Sequence, residues 1–313
     1  MILSVSRRSD VPAFYFDWFL NRLRAGWLLT RNPFRPSSVS RVPLSPAAVE
    51  CIVFWSKNPE PMLGKLERLE PYSWYIQYTV NPYGKDLESR LPDLARRLDT
   101  FRALAERVGP DRVIWRYSPI VLGGAYSPAF HLEAFDGLAR VLSGHTRQCA
   151  LSILDMYAKI APRMRALGVR ERDEGQSLAL ARQLAGLAAN HGIEPRLCGG
   201  PDPRPADILP ASCVDGELIR RLTGKDMSFK KDSGQRGVCN CVESVDVGSY
   251  QTCLNGCAYC YANHSHASAL RRAAGYDPQS PFLCDQSRPD DAVTERKVRL
   301  HAATGPAQLP LKP

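Results

Sequence analysis

Arg112-Val113-Ile114-Trp115-Arg116-Tyr117 and Ala150-Leu151-Ser152-Ile153-Leu154 are two short apolar runs, and a segment with helical spacing, His131–Leu142, lies between them. Each run has the length of one strand, and its composition suits a strand that is buried on both faces. A strand–helix–strand unit of this length is typical of a crossover between parallel neighbours. The stretch therefore predicts a parallel sheet covered by helices.

The same alternation extends over about the first 200 residues, which we expect to form one body. The predicted strands are Ile2–Ser6, Cys51–Ser56, Trp74–Val80, Arg112–Tyr117, Ala150–Leu154 and Ile193–Leu197. The predicted helices are Phe14–Ala25, Leu91–Val108, His131–Leu142, Ala158–Leu167 and Gly175–His191. A proline-rich interruption at 26–46 is expected to form a hairpin of Trp27–Thr30 and Ser38–Val42. We predict an α/β fold that resembles a (βα) barrel, complete or partial, with six or more parallel strands; a doubly wound sheet is the alternative.

The rest of the chain differs from this body in its cysteine content. Seven of the ten cysteines lie between Cys198 and Cys260, in an irregular stretch that is rich in glycine and aspartate. We therefore divide the chain into a barrel-like body, 1–197, and a cysteine-rich cap with a C-terminal tail, 198–313, packed on the barrel. A chain of this size with no signal-peptide pattern is not a small secreted disulfide scaffold, so clustered cysteines favour metal binding in the cytoplasm.

The charge balance points to an anionic partner. Lys and Arg number 41 and Asp and Glu number 32, which gives a net charge of +9. A small anionic substrate is preferred, and a nucleic acid is the alternative. No apolar run approaches the roughly 18 residues of a membrane span, so no membrane partner is expected.

Cys253, Cys257 and Cys260 form a C-x3-C-x2-C array on one short loop. Three thiolates at this spacing can hold three corners of a [4Fe–4S] cluster and leave the fourth iron open. Zinc is the competing metal, although its sites more often use paired C-x2-C knuckles.

This array, with an aromatic residue before its last cysteine, resembles the signature of radical S-adenosylmethionine enzymes. The resemblance implies that the three cysteines bind the cluster, that S-adenosylmethionine binds the open iron, and that Tyr259 lies near the adenine. It also implies reductive cleavage of S-adenosylmethionine to a 5′-deoxyadenosyl radical, which abstracts hydrogen from a substrate, with a reductant such as ferredoxin or flavodoxin. In this sequence the loop follows the strand–helix units instead of preceding them, and the usual Gly-Gly-Glu is absent.

The whole chain also resembles an uncharacterised bacterial family, a domain of unknown function whose members look like radical S-adenosylmethionine proteins. The segments that carry this likeness are Ser6–Tyr15, Val53–Pro59, Trp115–Ile120, Ser212–Asp215 and Cys239–Ala262. The family supplies no reaction. A non-radical iron–sulfur protein and a nucleic-acid modification or repair protein therefore stay open as alternatives.

Four further cysteines, Cys198, Cys213, Cys239 and Cys241, precede the loop. Four thiolates would close a second [4Fe–4S] cluster completely. A four-cysteine zinc site and buried thiols without metal are the alternatives.

Polar residues follow the predicted strands where a barrel places its active site. The expected catalytic residues are Arg7, Arg8, Asp10, Lys57, Arg116, Tyr117 and Asp155, and the expected cofactor contacts are Asn58, Thr79 and Tyr259. Four of these are cations, and their convergence would suit a small anionic substrate. Structural ion pairs between them and the carboxylates are the alternative.

Overall fold

A computed structural model describes residues 1–171, 173–199 and 207–301. The strands are β1 (Ile2–Val5), β2 (Trp27–Arg31), β3 (Ser38–Pro43), β4 (Cys51–Ser56), β5 (Trp74–Thr79), β6 (Val113–Ile120), β7 (Gln148–Ile153), β8 (Glu194–Leu197), β9 (Leu209–Pro210), β10 (Val245–Asp246) and β11 (Ala292–Glu295). The α-helices are α1 (Val11–Phe14), α2 (Phe16–Ala25), α3 (Leu94–Val108), α4 (Pro128–Leu142), α5 (Ala161–Ala166), α6 (Glu174–Asn190), α7 (Gly216–Thr223) and α8 (His266–Ala273), and a 3₁₀ segment covers Glu60–Leu69.

The main sheet has eight strands in the order β10-β1-β4-β5-β6-β7-β8-β9, and every neighbouring pair is parallel. Its six long strands follow chain order without a reversal. A doubly wound sheet reverses its order at a switch point, so this topology is that of a barrel-like winding. The α/β prediction is confirmed.

The sheet curls. In a flat sheet, the five strand spacings between β1 and β8 would separate these strands by roughly 24 Å. Cys198 directly follows β8, and its thiol hydrogen-bonds that of Cys213. Arg7, which lies just beyond β1, is close enough to Cys213 to lower the pKa of that thiol. The carboxyl ends of β1 and β8 therefore face a common group, as in a partial barrel.

Segments after β8 complete both edges of the sheet. β9 pairs with β8, while β10 pairs with β1. Both are two-residue strands, too short to show a hydrophobic period, and neither was predicted.

A second sheet confirms the predicted hairpin. β2 and β3 are antiparallel, and β11 adds to β3 in parallel, an addition that was not predicted. The predicted tail beyond 301 lies outside the described residues.

Helix boundaries depend on capping. α4 begins at Pro128, three residues before the predicted start, because the Ser127 side chain accepts from Phe130 N and proline suits the first turn. The predicted helix over Ala158–Leu167 was too long, since α5 covers six residues. Within the described ranges, no helix is long and apolar enough to cross a membrane.

Candidate iron–sulfur site

The loop that carries Cys253, Cys257 and Cys260 is fastened to the segment that follows β5. Cys257 forms an antiparallel bridge with Glu88, and Ala258 N donates to Leu87 O at 2.8 Å. Ser89 Oγ donates to Gly256 O at 3.0 Å. Gly256 has φ +67°, and an added Cβ would lie 2.5 Å from Ser89 Oγ. Only glycine combines this backbone angle with such a close approach, so the glycine sets the shape of the loop.

Glu88 is the centre of the polar network behind the loop. It is 2% exposed. Its carboxylate accepts from Lys57 Nζ at 2.8 Å, Arg97 Nη1 at 3.2 Å, Asn81 Nδ2 at 3.3 Å and the Tyr259 hydroxyl. Lys57 Nζ also lies 5.3 Å from the centre of the Tyr259 ring. The network therefore fixes both Lys57 and Tyr259 beside the cysteines.

Asp10 connects two strand ends with the same loop. Its carboxylate accepts from Ser56 Oγ at 2.7 Å, Lys57 N at 2.9 Å, Ala13 N at 3.1 Å and Asn255 Nδ2 at 2.8 Å. Burial raises the pKa of Asp10, although these hydrogen bonds act in the opposite direction. Asp10 thus holds the end of β4 and the cysteine loop together.

The three loop cysteines are partly buried and lie close to one another. Burial raises the pKa of Cys257 to about 12, against the opposing effect of Lys57. Burial also raises the pKa of Cys253, and Asp10, Cys260 and Cys257 each raise it further. Because metal ligation requires thiolates, a metal that binds Cys253 and Cys257 would displace their protons.

A buried acceptor lies on the residue that follows Lys57. Asn58 Oδ1 is buried and has no hydrogen-bond partner within the described residues. Asn58 was predicted to contact a cofactor. An unsatisfied buried oxygen is costly, so its position fits a bound group that would supply a donor.

The four upstream cysteines also come together. The Cys213 thiol hydrogen-bonds those of Cys198 and Cys241, and Cys239 hydrogen-bonds Cys241. Arg116 Nη1 donates to Cys213 Sγ at 2.7 Å. The thiol–thiol hydrogen bonds, with Arg116 and Arg7, hold the pKa of Cys213 well below its ordinary value.

Two main-chain N–H groups also donate to one of these sulfur atoms. Cys213 N and Val214 N donate to Cys241 Sγ at 3.2 and 3.5 Å. In the described ranges, no three His, Cys, Asp or Glu side chains are arranged to hold one metal ion. A cubane makes a different demand, because each thiolate binds its own iron and the sulfur atoms surround a cluster instead of a point.

The four predicted cations have different partners. Arg7 and Arg116 lie at the upstream cysteines. Lys57 pairs with Glu88. Arg8 stacks over Tyr250, with its guanidinium carbon 5.2 Å from the ring centre, and lies 3.8 Å from Asp246. Asp246 joins Arg7 to Arg8, because it also accepts from Arg7 N, whereas Lys57 and Arg116 contact other groups.

Three other predicted residues have partners outside the cysteine loop. Tyr117 packs against α4, where its hydroxyl is 2.7 Å from His131 Nδ1 and its ring stacks edge-on with Phe135. Asp155 pairs with Arg236. Thr79 is buried at the end of β5, where it registers with Arg116.

A protein-family model matches most of the chain. The family model described as domain of unknown function (DUF1848) matches residues 2–262, from β1 to just beyond Cys260. The chain belongs to the DUF1848 family. No match to a curated protein was found.

Several residues of this DUF1848 site were missed by sequence reasoning. Glu88, Asn255 and Asp246 each join segments that are far apart in the chain; Asp246, for example, accepts from Ser4 Oγ at 2.7 Å and Arg7 N at 2.8 Å. Glu88 lies nine positions after Thr79, too far beyond the strand for its end to mark it. A polar run that continues past a strand end was the available signal.

Proposed function

We propose that this chain is an iron–sulfur enzyme of the radical S-adenosylmethionine type, with an open [4Fe–4S] cluster at Cys253, Cys257 and Cys260. The observation that carries the proposal is the fixed position of this partly buried cysteine loop, which contacts Glu88 through Cys257 and Tyr259 and Asp10 through Asn255. When bound, the cluster would supply an open coordination position for S-adenosylmethionine and the electron that cleaves it. The electron source would be a reductant such as ferredoxin or flavodoxin.

The chain's own residues would position the cofactor. Glu88 holds the Tyr259 hydroxyl, and Lys57 lies over the ring, so the ring has one fixed orientation. A fixed aromatic face beside the loop suits an adenine. Asn58 offers an unsatisfied acceptor, and Lys57 offers a cation to a carboxylate. Burial of the loop would keep water from the reacting atoms.

We further propose a second, fully ligated [4Fe–4S] cluster at Cys198, Cys213, Cys239 and Cys241. Four thiolates on a cubane give an assembly with a net charge of about −2 in its resting state. Arg7 and Arg116 approach these thiols and would balance that charge. The main-chain donors to Cys241 Sγ are the kind of hydrogen bond that tunes cluster potentials.

Anaerobic spectroscopy tests the open cluster. Purified protein should show a broad brown absorbance and, after reduction, a paramagnetic signal that shifts when S-adenosylmethionine is added. Replacing Cys253, Cys257 and Cys260 by Ala should abolish the shift. The matched control is Cys149→Ala, which alters a thiol that is buried in the core instead.

The same samples separate the rival functions. Dithionite-reduced protein should release 5′-deoxyadenosine even without substrate. A shift without any cleavage product, with several reductants, would support the non-radical iron–sulfur alternative. Full zinc occupancy without iron after anaerobic purification would contradict both.

A further inference from the structure

A cavity of about 690 Å³ lies beside the cysteine loop. Its walls come from the β2–β3 hairpin, residues 247–251, the segment 261–264 after the last loop cysteine, and residues 282–288. Tyr261 and Ala262, which directly follow Cys260, form part of the wall. The volume is within the range of sites that bind small ligands, roughly 300–1,000 Å³.

The cavity has more cations than carboxylates, although Arg8 pairs with Asp246 and Arg31 with Asp291 behind its walls. Among the described residues that line it, the cations are Arg8, Arg31, Lys159, Arg272 and Arg288, and the carboxylate is Asp285. Asp285 is shared by three of them: its carboxylate lies 2.8 Å from Arg31 Nε, 3.3 Å from Arg272 Nη2 and 3.3 Å from Arg288 Nη2. Asp291 also pairs with Arg31, so two carboxylates face three guanidinium groups, and Arg272 and Arg288 share Asp285. Arginine forks with spare donors suit phosphate.

Exposed aromatic rings line the same cavity. Phe34 is 88% exposed, Tyr157 45% and Tyr261 46%. The rings of Tyr157 and Tyr261 lie 6.2 Å apart. Proteins that bind single-stranded nucleic acid stack the bases on exposed aromatic rings and bind the phosphates with nearby cations.

We propose that this cavity binds a nucleobase joined to a phosphate, either as a free nucleotide or within a single strand. The base would stack on the rings of Phe34, Tyr157 or Tyr261, and the phosphate would bind Lys159, Arg272 and Arg288. S-adenosylmethionine is a poor occupant, because it carries a sulfonium cation and no phosphate. The binding proposal is independent of the proposed function, whereas the role of this ligand as the substrate rests on that function.

Calorimetric titration tests the binding chemistry. AMP should bind more tightly than adenosine or inorganic phosphate, because only AMP engages both the rings and the cations. Phe34→Ala should weaken AMP binding about fivefold to a hundredfold, the size of one base stack. Lys159→Ala and Arg288→Ala should weaken AMP but leave adenosine unchanged. Arg140→Ala is the matched control, because Arg140 is exposed on α4, outside the cavity lining.

A second experiment distinguishes a free nucleotide from a nucleotide within a single strand. A single-stranded decanucleotide that binds much more tightly than AMP, with a steep loss between 50 and 200 mM salt, would identify a strand; comparable affinities would identify the nucleotide. Equal affinities for adenosine and AMP, or equal losses in Arg140→Ala and Arg288→Ala, would overturn the site. Titrating the variant without Cys253, Cys257 and Cys260 keeps this outcome independent of the cluster.

Discussion

Glu88 is a single buried carboxylate that holds two cations beside the cysteine loop. It receives Lys57 and Arg97 as cationic partners, with side chains that are 15% and 3% exposed, and is itself almost completely shielded from water. Neither cation has another carboxylate within 4 Å in the parts of the chain that the structure describes. Because a buried charge is tolerated only with its partner, loss of this carboxylate would strand two cations.

Glu88→Gln should therefore lower the free energy of unfolding by about 3–5 kcal/mol, the usual result of breaking a buried ion pair from one side. Urea unfolding of the metal-free protein measures the change. Glu133→Gln, at an exposed position on α4, should change stability by less than about 0.5 kcal/mol. Equal losses in the two variants would show that the network does not depend on the charge.

At the scale of elements, the cysteine loop depends on its neighbour. The segment after β5 supplies a bridge, a main-chain hydrogen bond and a side-chain hydrogen bond to residues 256–258. These contacts hold Cys257 against Glu88 before any metal binds. The loop is thus shaped by packing as well as by its ligands, and Gly256 is the point at which it turns.

Gly256→Ala tests this preorganisation. A residue with a side chain at this left-handed backbone angle would destabilise the loop by roughly 1–2 kcal/mol. The added Cβ would also displace the Ser89 side chain. We expect a lower free energy of unfolding and less iron after anaerobic reconstitution. Gly186→Ala, in α6, has open space around its new Cβ and should stabilise the protein by about 0.5–1 kcal/mol. Full iron content in Gly256→Ala would argue against a preorganised loop.

The elements that the sequence predicted are those whose signal is local. β4 and β5 are runs buried on both faces, and Cys51–Ser56 was predicted to the residue. β9 and β10 form only because long-range contacts bring two residues to each edge of the sheet. The same distinction between local and long-range signals applies to the candidate sites. The spacing of the cysteines is local and predicted the metal ligands, whereas the partners of the four cations depend on how the sheet curls.

At the scale of the whole molecule, the upstream cysteines lie where the sheet approaches closure. Cys198 follows β8, Cys213 precedes α7, and Cys239 and Cys241 precede β10. The carbonyl of Cys213 also accepts from Tyr75 Oη at 2.9 Å and Gln77 Nε2 at 3.1 Å, both on β5. A group bound here would connect segments from both edges of the sheet with its middle.

Binding of metal at this position should therefore stabilise the entire fold, because a ligand that binds the folded state alone shifts the unfolding equilibrium. With two cubanes, the anaerobic protein should contain about eight irons, and replacing Cys198, Cys213, Cys239 and Cys241 by Ala should leave about four. That variant should also lose the rise in Tm that reconstitution gives the parent, as measured by calorimetry under anaerobic conditions. The control replaces Cys51, Cys149 and Cys284, buried thiols outside both groups, and should keep all the iron. A parent with about four irons, all of them lost when Cys253, Cys257 and Cys260 are replaced, would show that the upstream thiols hold no cluster.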